Sequence, residues 1–163
     1  MNKITLEYHS GIYQLKSKQI IQASLDEVWD YFSKPQNLNS LTPKDMAFEI
    51  TSGEPSRMYE GQIISYQIEI LPIIKSSWVT EITHVKEGKM FVDEQRFGPY
   101  VMWHHEHHFK VLSEHQVVMN DIVSYKLPLG RLGRLVAGKI IGNRVRKIFE
   151  FREEAVDSIF RNK

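Results

Sequence analysis

One change in hydrophobic spacing limits the fold of this chain more than any motif. Between Asp45 and Tyr125 apolar side chains recur at every second position, in six successive runs. Met46, Phe48 and Ile50 form the first run, and Ile64, Tyr66, Ile68 and Ile70 the second. Trp78, Thr80 and Ile82 form the third; Phe91 to Phe97, Trp103 to Val111 and Val117 to Tyr125 complete the series. A period of two describes a strand with one face turned inward. Successive strands joined by short turns make an antiparallel meander. After Pro128 the spacing becomes helical. Ile141, Val145, Ile148, Ala155, Val156 and Ile159 keep one stripe, which predicts a single helix from Leu129 to Arg161. About thirty helical residues span about 45 Å, enough to cross the concave face of a sheet. Gly130, Gly133, Gly138 and Gly142 each disfavour that helix by about 1 kcal/mol relative to Ala, so its start implies close packing or a loosened first turn.

Upstream of the meander, Ser10–Gly11 is a turn signal and Ile12 to Ile21 reads as a strand. Met1 to Ser10 is mixed and polar, without the apolar core of a secretory signal. Ser24 and Glu27 form a capping box, which starts a helix carrying Leu25, Val28, Trp29 and Phe32 on one face. Pro35 disfavours helical geometry at Lys34 and ends it. Pro35 to Leu41 forms a second short helical segment before Pro43.

The length of 163 residues suits one domain, residues 1–163, with one sizeable core. No apolar run approaches the roughly 20 residues of a membrane span. The absence of cysteine excludes disulfide scaffolds, thiolate zinc sites and cysteine nucleophiles, and makes the cytoplasm the default compartment. Twenty-one basic residues against twenty acidic ones give a net charge of +1, which offers no global field for nucleic acid.

The predicted order is therefore strand, two short helices, six strands and a long helix. With it go Phe91–Val92–Asp93–Glu94–Gln95, Gly98–Pro99–Tyr100, and Trp103, His105, His107 and Phe109 at alternate positions. Asp121, Val123, Tyr125 and Leu127–Pro128–Leu129–Gly130, and Ile148–Phe149–Glu150–Phe151–Arg152, extend the pattern. On these residues the chain resembles the START-like (SRPBCC) superfamily, and within it the bacterial ligand-binding SRPBCC-domain branch, some of whose members are labelled cell-division inhibitors. The resemblance covers nearly the whole chain. It implies an α+β helix-grip fold: a curved antiparallel sheet of about seven strands wrapped around a long C-terminal helix, with two short helices after the first strand. It also implies a cavity between sheet and helix for a small hydrophobic or lipid-like molecule. It implies no reaction, because the superfamily mixes carriers, receptors and cyclases.

Four of the seven histidines lie between Trp103 and Phe109. Alternation turns His105 and His107 inward with Trp103 and Phe109, and His104, Glu106 and His108 toward solvent. Two inward imidazoles can ligate a metal, bind a ligand's polar head, or belong to an internal polar network. Asp93, Gln95 and Asp121 fall on neighbouring inward positions. A hairpin through Gly98–Pro99–Tyr100 is expected to place Gln95 opposite His105 and Asp93 opposite His107. The ligand-binding set is then Asp93, Gln95, Trp103, His105, His107, Asp121, Tyr66 and Trp78, with the aromatic residues holding the ligand's body. No metal, cofactor or catalytic residue is assigned. Binding without catalysis is the favoured reading. The alternatives are a cyclase, dehydratase or hydrolase using Asp93, His105 and His107, and a regulatory interaction protein with a filled core. The C-terminal helix carries Arg131, Arg134, Lys139, Arg144, Arg146 and Lys147 and no acidic residue from Leu129 through Phe149. A solvated outer face is the favoured reading. A transient contact with anionic membrane, and a homodimer through the helix end, stay open.

Overall fold

The computed structural model describes residues 3–46, 48–53, 57–71 and 74–161, with no side chain described at 70, 71, 74 or 134. Strands β1 (Lys3–His9) and β2 (Ile12–Ile21) form a hairpin, followed by helix α1 (Leu25–Phe32). Two 3₁₀ segments, Pro35–Leu41 and Lys44–Met46, lead into β3 (Glu49–Ile50). The meander continues through β4 (Ile63–Leu71), β5 (Ile74–Lys86), β6 (Met90–Phe97), β7 (Met102–Ser113) and β8 (Gln116–Lys126). Helix α2 (Gly130–Arg161) closes the described chain. The strands make one antiparallel sheet in the order β1-β2-β8-β7-β6-β5-β4-β3.

This is the helix-grip arrangement that the change of period predicts, with one more strand. The added strand is β1, which pairs with β2 from Lys3↔Lys18 to His9↔Ile12. The two short helices therefore follow the second strand. The first alternating run is also shortened. Met46 belongs to a 3₁₀ segment, Ala47 lies outside the described residues, and only Glu49 and Ile50 pair with β4.

Local chemistry sets the ends of the helices. Ser24 Oγ accepts from the Glu27 amide at 3.4 Å while Glu27 Oε2 accepts from the Ser24 amide at 3.0 Å, closing the capping box that starts α1. At the other junction Leu129 and Gly130 both adopt positive φ (61° and 51°), turning the chain from β8 into α2. A Cβ on Gly133 would lie 1.9 Å from the Pro128 carbonyl oxygen, and one on Gly142 would lie 3.1 Å from the Leu6 side chain. These two glycines, costly for helix propensity, permit close approach of α2 to its surroundings.

The core has two parts. Trp29, Phe32, Phe91, Phe109, Met119, Val156 and Phe160 fill one, beneath α1 and the end of α2. Leu15, Val123, Tyr125, Val145 and Phe149 fill the other, beneath the middle of α2. Polar contacts fix the helix against β2: Ser17 Oγ donates to Glu153 Oε1 at 2.8 Å, and Gln19 Nε2 donates to the Glu153 carbonyl and Asp157 Oδ1 at 2.8 and 2.9 Å. No helix among the described residues is long and apolar enough to cross a membrane.

Candidate functional site

A cleft of about 190 Å³ lies between the sheet, α2 and the 3₁₀ segments. Its apolar walls include Phe48, Ile64, Tyr66, Ile68, Trp78 and Ile82 from β4, β5 and the chain before β3. Trp103 and Tyr100 close one side, and Ile148 and Phe149 of α2 cover it. Tyr66, Trp78, Tyr100 and Trp103 form one chain of ring contacts, with centroids 6.1, 5.5 and 5.0 Å apart in that order. The Thr80 hydroxyl meets the Tyr66 hydroxyl and accepts from Trp78 Nε1 at 3.0 Å, so the polar atoms of this wall are used internally. Burial pushes the Tyr66 phenol well above its ordinary pKa, which keeps it neutral.

The polar wall is built on β6, β7, β8 and α2. His105 and His107 are buried on the inner face of β7, with ring centroids 3.8 Å apart. Each ring stands between the same two carboxylates. Asp93 Oδ2 lies 3.4 Å from His105 Nδ1 and 3.0 Å from His107 Nε2. Asp121 Oδ1 lies 3.2 Å from His105 Nε2 and 2.8 Å from His107 Nδ1. Arg152, buried on α2, brings Nη2 to 3.4 Å from His107 Nδ1 and packs over the rings of Phe32 and Phe149. Hydrogen-bond geometry is met by His107 Nε2 toward Asp93, by His105 Nε2 toward Asp121, and by Arg152 Nη2, which donates to His107 Nδ1; the 2.8 Å contact of Asp121 with that nitrogen is an ion-pair approach.

The electrostatics follow from this geometry. Burial, and His107 beside it, pull the His105 pKa down to about 4 against the opposing pull of both carboxylates. Burial alone would raise Asp93; His105, His107 and Arg152 outweigh it and hold its carboxyl below the ordinary value. Burial would raise Asp121 too, but Arg152 and the hydrogen bonds from both histidines hold it far below the usual carboxylate range. Both aspartates are therefore ionised at neutral pH.

Of the eight residues singled out from sequence, Tyr66, Trp78, Asp93, Trp103, His105 and His107 line the cleft. Asp121 stands behind the histidines and does not line it. Gln95 does not line it either. Its amide braces the β6–β7 connection instead, donating to the Tyr100 carbonyl at 2.7 Å and accepting from the Tyr100 amide at 3.3 Å. That brace widens the turn, so Asp93 pairs with His105 and Phe91 with His107, two residues from the expected register. A shift of two preserves the faces, and Asp93 reaches His107 diagonally. On the outer face His104 meets Glu94 at 2.7 Å and His108 meets Glu106 at 2.9 Å.

Arg152 and Tyr100 escaped the sequence reading. The signal for Arg152 is its place in the buried stripe Val145, Phe149, Arg152, Val156 and Phe160, where an arginine implies a buried anion. Tyr100 follows Gly98–Pro99, which reads as turn and hides an inward ring.

Comparison with solved structures gives the architecture its place. A START superfamily protein from Mycobacterium smegmatis superposes with a TM-score of 0.70 at 10% identity, covering 91% of this chain and 97% of that one. The chain shares the fold of that START superfamily protein. Within this fold, a norcoclaurine synthase mutant from Thalictrum matches at TM-score 0.67 and 13% identity, over 96% of this chain and 98% of that one. The Zhui aromatase/cyclase of a Streptomyces species matches at TM-score 0.67 and 13% identity, over 92% and 94%. No protein-family model and no curated protein sequence matches the chain.

Proposed function

We propose that this START-like chain binds or carries a compact hydrophobic molecule bearing one polar head. The carrying observation is the cleft itself, apolar along its length and closed at one wall by Asp93, His105, His107 and Arg152. Apolar lining with a few convergent polar groups is the usual composition of a small-molecule site. Arg152 Nε has no hydrogen-bond partner among the described residues, which supports an oxygen acceptor on the ligand. Size narrows the cargo. A cavity of about 150 Å³ admits benzene, so the 190 Å³ of this cleft suits a ring system or a short branched chain.

Native mass spectrometry of protein purified from its own host, followed by extraction of the bound molecule, tests this reading. A stoichiometric small hydrophobic adduct is expected. Ile148→Trp, which fills the cleft from α2, should fold and lose it. Absence of any adduct, together with no thermal shift from a panel of compact hydrophobes, overturns the reading and leaves the interaction-protein class. Conversion of an added hydrophobe, abolished by His107→Gln, would move the assignment to an enzyme.

The start of α2 supports a second element, contact with an anionic bilayer. Leu132, Leu135, Val136 and Ile140 are all exposed, at the spacing of one helix face, while Gly138 and Gly142 are buried. Arg131 and Lys139 are exposed beside them, and no acidic residue interrupts the segment. Large apolar residues outward with basic neighbours suit the headgroup region of an anionic leaflet. Co-sedimentation with phosphatidylglycerol vesicles, lost in Leu135→Asp, is expected. Equal indifference to anionic and zwitterionic vesicles, or a stable dimer by light scattering, overturns it.

A further inference from the structure

Two imidazoles and two carboxylates make four N···O contacts in the polar wall, at 2.8, 3.0, 3.2 and 3.4 Å. A neutral imidazole carries one N–H. Asp121 lies behind the rings, away from the cleft, and takes the nearer claim on both: His107 Nδ1 at 2.8 Å and His105 Nε2 at 3.2 Å. On their opposite edges His105 Nδ1 and His107 Nε2 both face Asp93 Oδ2, and only His107 Nε2, at 3.0 Å, has hydrogen-bond geometry to it. Three potential ligand atoms therefore converge, one from each of three residues that line the cleft, all within 4.8 Å of one another. Arg152 does not relieve this spot, because its Nη2 approaches His107 on the Nδ1 side. The point between the three atoms suits a positive centre.

Protons fill it in part. One proton on His107 Nε2 makes the 3.0 Å hydrogen bond to Asp93 and leaves His105 Nδ1 facing the same oxygen at 3.4 Å without one. Two protons make both rings cationic with centroids 3.8 Å apart in a buried site. A metal ion satisfies all three donors at once. For bonds of about 2.0–2.2 Å in tetrahedral geometry, donors sit roughly 3.2–3.6 Å apart; the two donor separations to Asp93 are 3.0 and 3.4 Å. Charge agrees as well. Two aspartates against one arginine leave one negative charge uncompensated in the wall when both rings are neutral.

We infer that His105 Nδ1, His107 Nε2 and Asp93 Oδ2 form a three-ligand site for a divalent transition-metal ion, oriented by Asp121 and open toward the cleft at its fourth position. Two imidazoles and one carboxylate are a borderline donor set suited to zinc or iron(II). Asp121 does what outer partners of metal-bound histidine do: by accepting the far N–H it fixes each ring's tautomer and orientation. The open position would accept a water or the oxygen of a bound molecule. The site goes beyond the ligand-binding reading and does not depend on it.

Chelator-treated protein titrated with zinc chloride provides the test, read by calorimetry and by thermal unfolding. One zinc ion per chain and a raised unfolding temperature are expected. Cobalt(II) in place of zinc should give the intense visible bands of a four-coordinate ion. Asp121→Asn should weaken zinc about 10–100-fold, and His105→Gln or Asp93→Asn should abolish the one-to-one step. The outer face is the control, since His104 and His108 also lie beside carboxylates. A His104→Gln/His108→Gln double variant should bind zinc as the parent does. Should the inner variants fail to fold, the parent's cobalt spectrum and this double variant decide. Failure of the parent to take up one equivalent, a six-coordinate cobalt spectrum, or loss of binding in the outer-face variant each overturns the inference.

Discussion

The two faces of β7 carry the same chemistry in different surroundings. On the outer face His104 and His108 meet Glu94 and Glu106 at 2.7 and 2.9 Å, with roughly a third of each imidazole exposed. On the inner face His105 and His107 meet Asp93 and Asp121 at 2.8–3.4 Å, with their side chains only 6% and 3% exposed. By distance alone the outer pairs are as good as the inner ones. Water makes the difference. An exposed pair exchanges one hydration shell for another contact and contributes about 0–1 kcal/mol. A buried one cannot lose a partner without leaving a charge in a medium that solvates it poorly. Contact lists therefore do not rank these four histidines; burial does.

The largest break in that contrast should come from the inner site's cation. Arg152→Met keeps much of the side chain's volume and removes the buried positive charge facing Asp93 and Asp121. Destabilisation of about 3–5 kcal/mol is expected, as for a buried ion pair stripped of one member. The urea midpoint should fall with an unchanged slope. A loss below about 1 kcal/mol would mean that the carboxylates are solvated and that the inner face is wetter than its burial implies.

His107→Leu comes next. It fills similar space with apolar surface but leaves both aspartates short of one hydrogen-bond donor, for an expected loss of about 1–3 kcal/mol. His104→Ala, on the other face of the same strand, should cost no more than about 0.5 kcal/mol. The pair is a direct measurement of the difference between faces. Equal and small losses by chemical denaturation would abolish the comparison.

The faces were legible from the sequence because a period of two survives any even shift of register. His105 and His107 turn inward whether Asp93 lies opposite one or the other. The register itself was not legible. It depends on the Gln95 amide bracing Tyr100, a side-chain contact with no periodic signature. Arg152 reaches His107 across 45 residues of chain, and no local pattern reports a contact that distant. The edge strand β1 is a different case. Ile4, Leu6 and Tyr8 do alternate with Lys3, Thr5, Glu7 and His9, but the strand lies half-exposed or exposed along its length, so its composition reads as polar. Fold class rests on long, repeated patterns and was recoverable; the site rests on single side chains meeting across the cleft.

Helix α2 repeats the lesson along one element. Its later turns bury Val145, Phe149, Val156 and Phe160, while its first turns expose Leu132, Leu135, Val136 and Ile140. Both halves read as apolar helix. The difference lies in what meets the sheet: bulky side chains in the later half, whereas nearer the start Gly142 comes against Leu6 of β1. Leu135 is 84% exposed, so the folded state gives its side chain little more shelter than the unfolded chain does. Leu135→Ala should therefore shift stability by no more than about 0.5 kcal/mol in either direction, the smallest effect expected here and the counterpart of His104→Ala on β7. The measurement is again chemical denaturation, made at several protein concentrations. A concentration-dependent loss would show that these leucines are buried against a second copy in solution, and the outward face would then belong to a subunit contact and not to a bilayer.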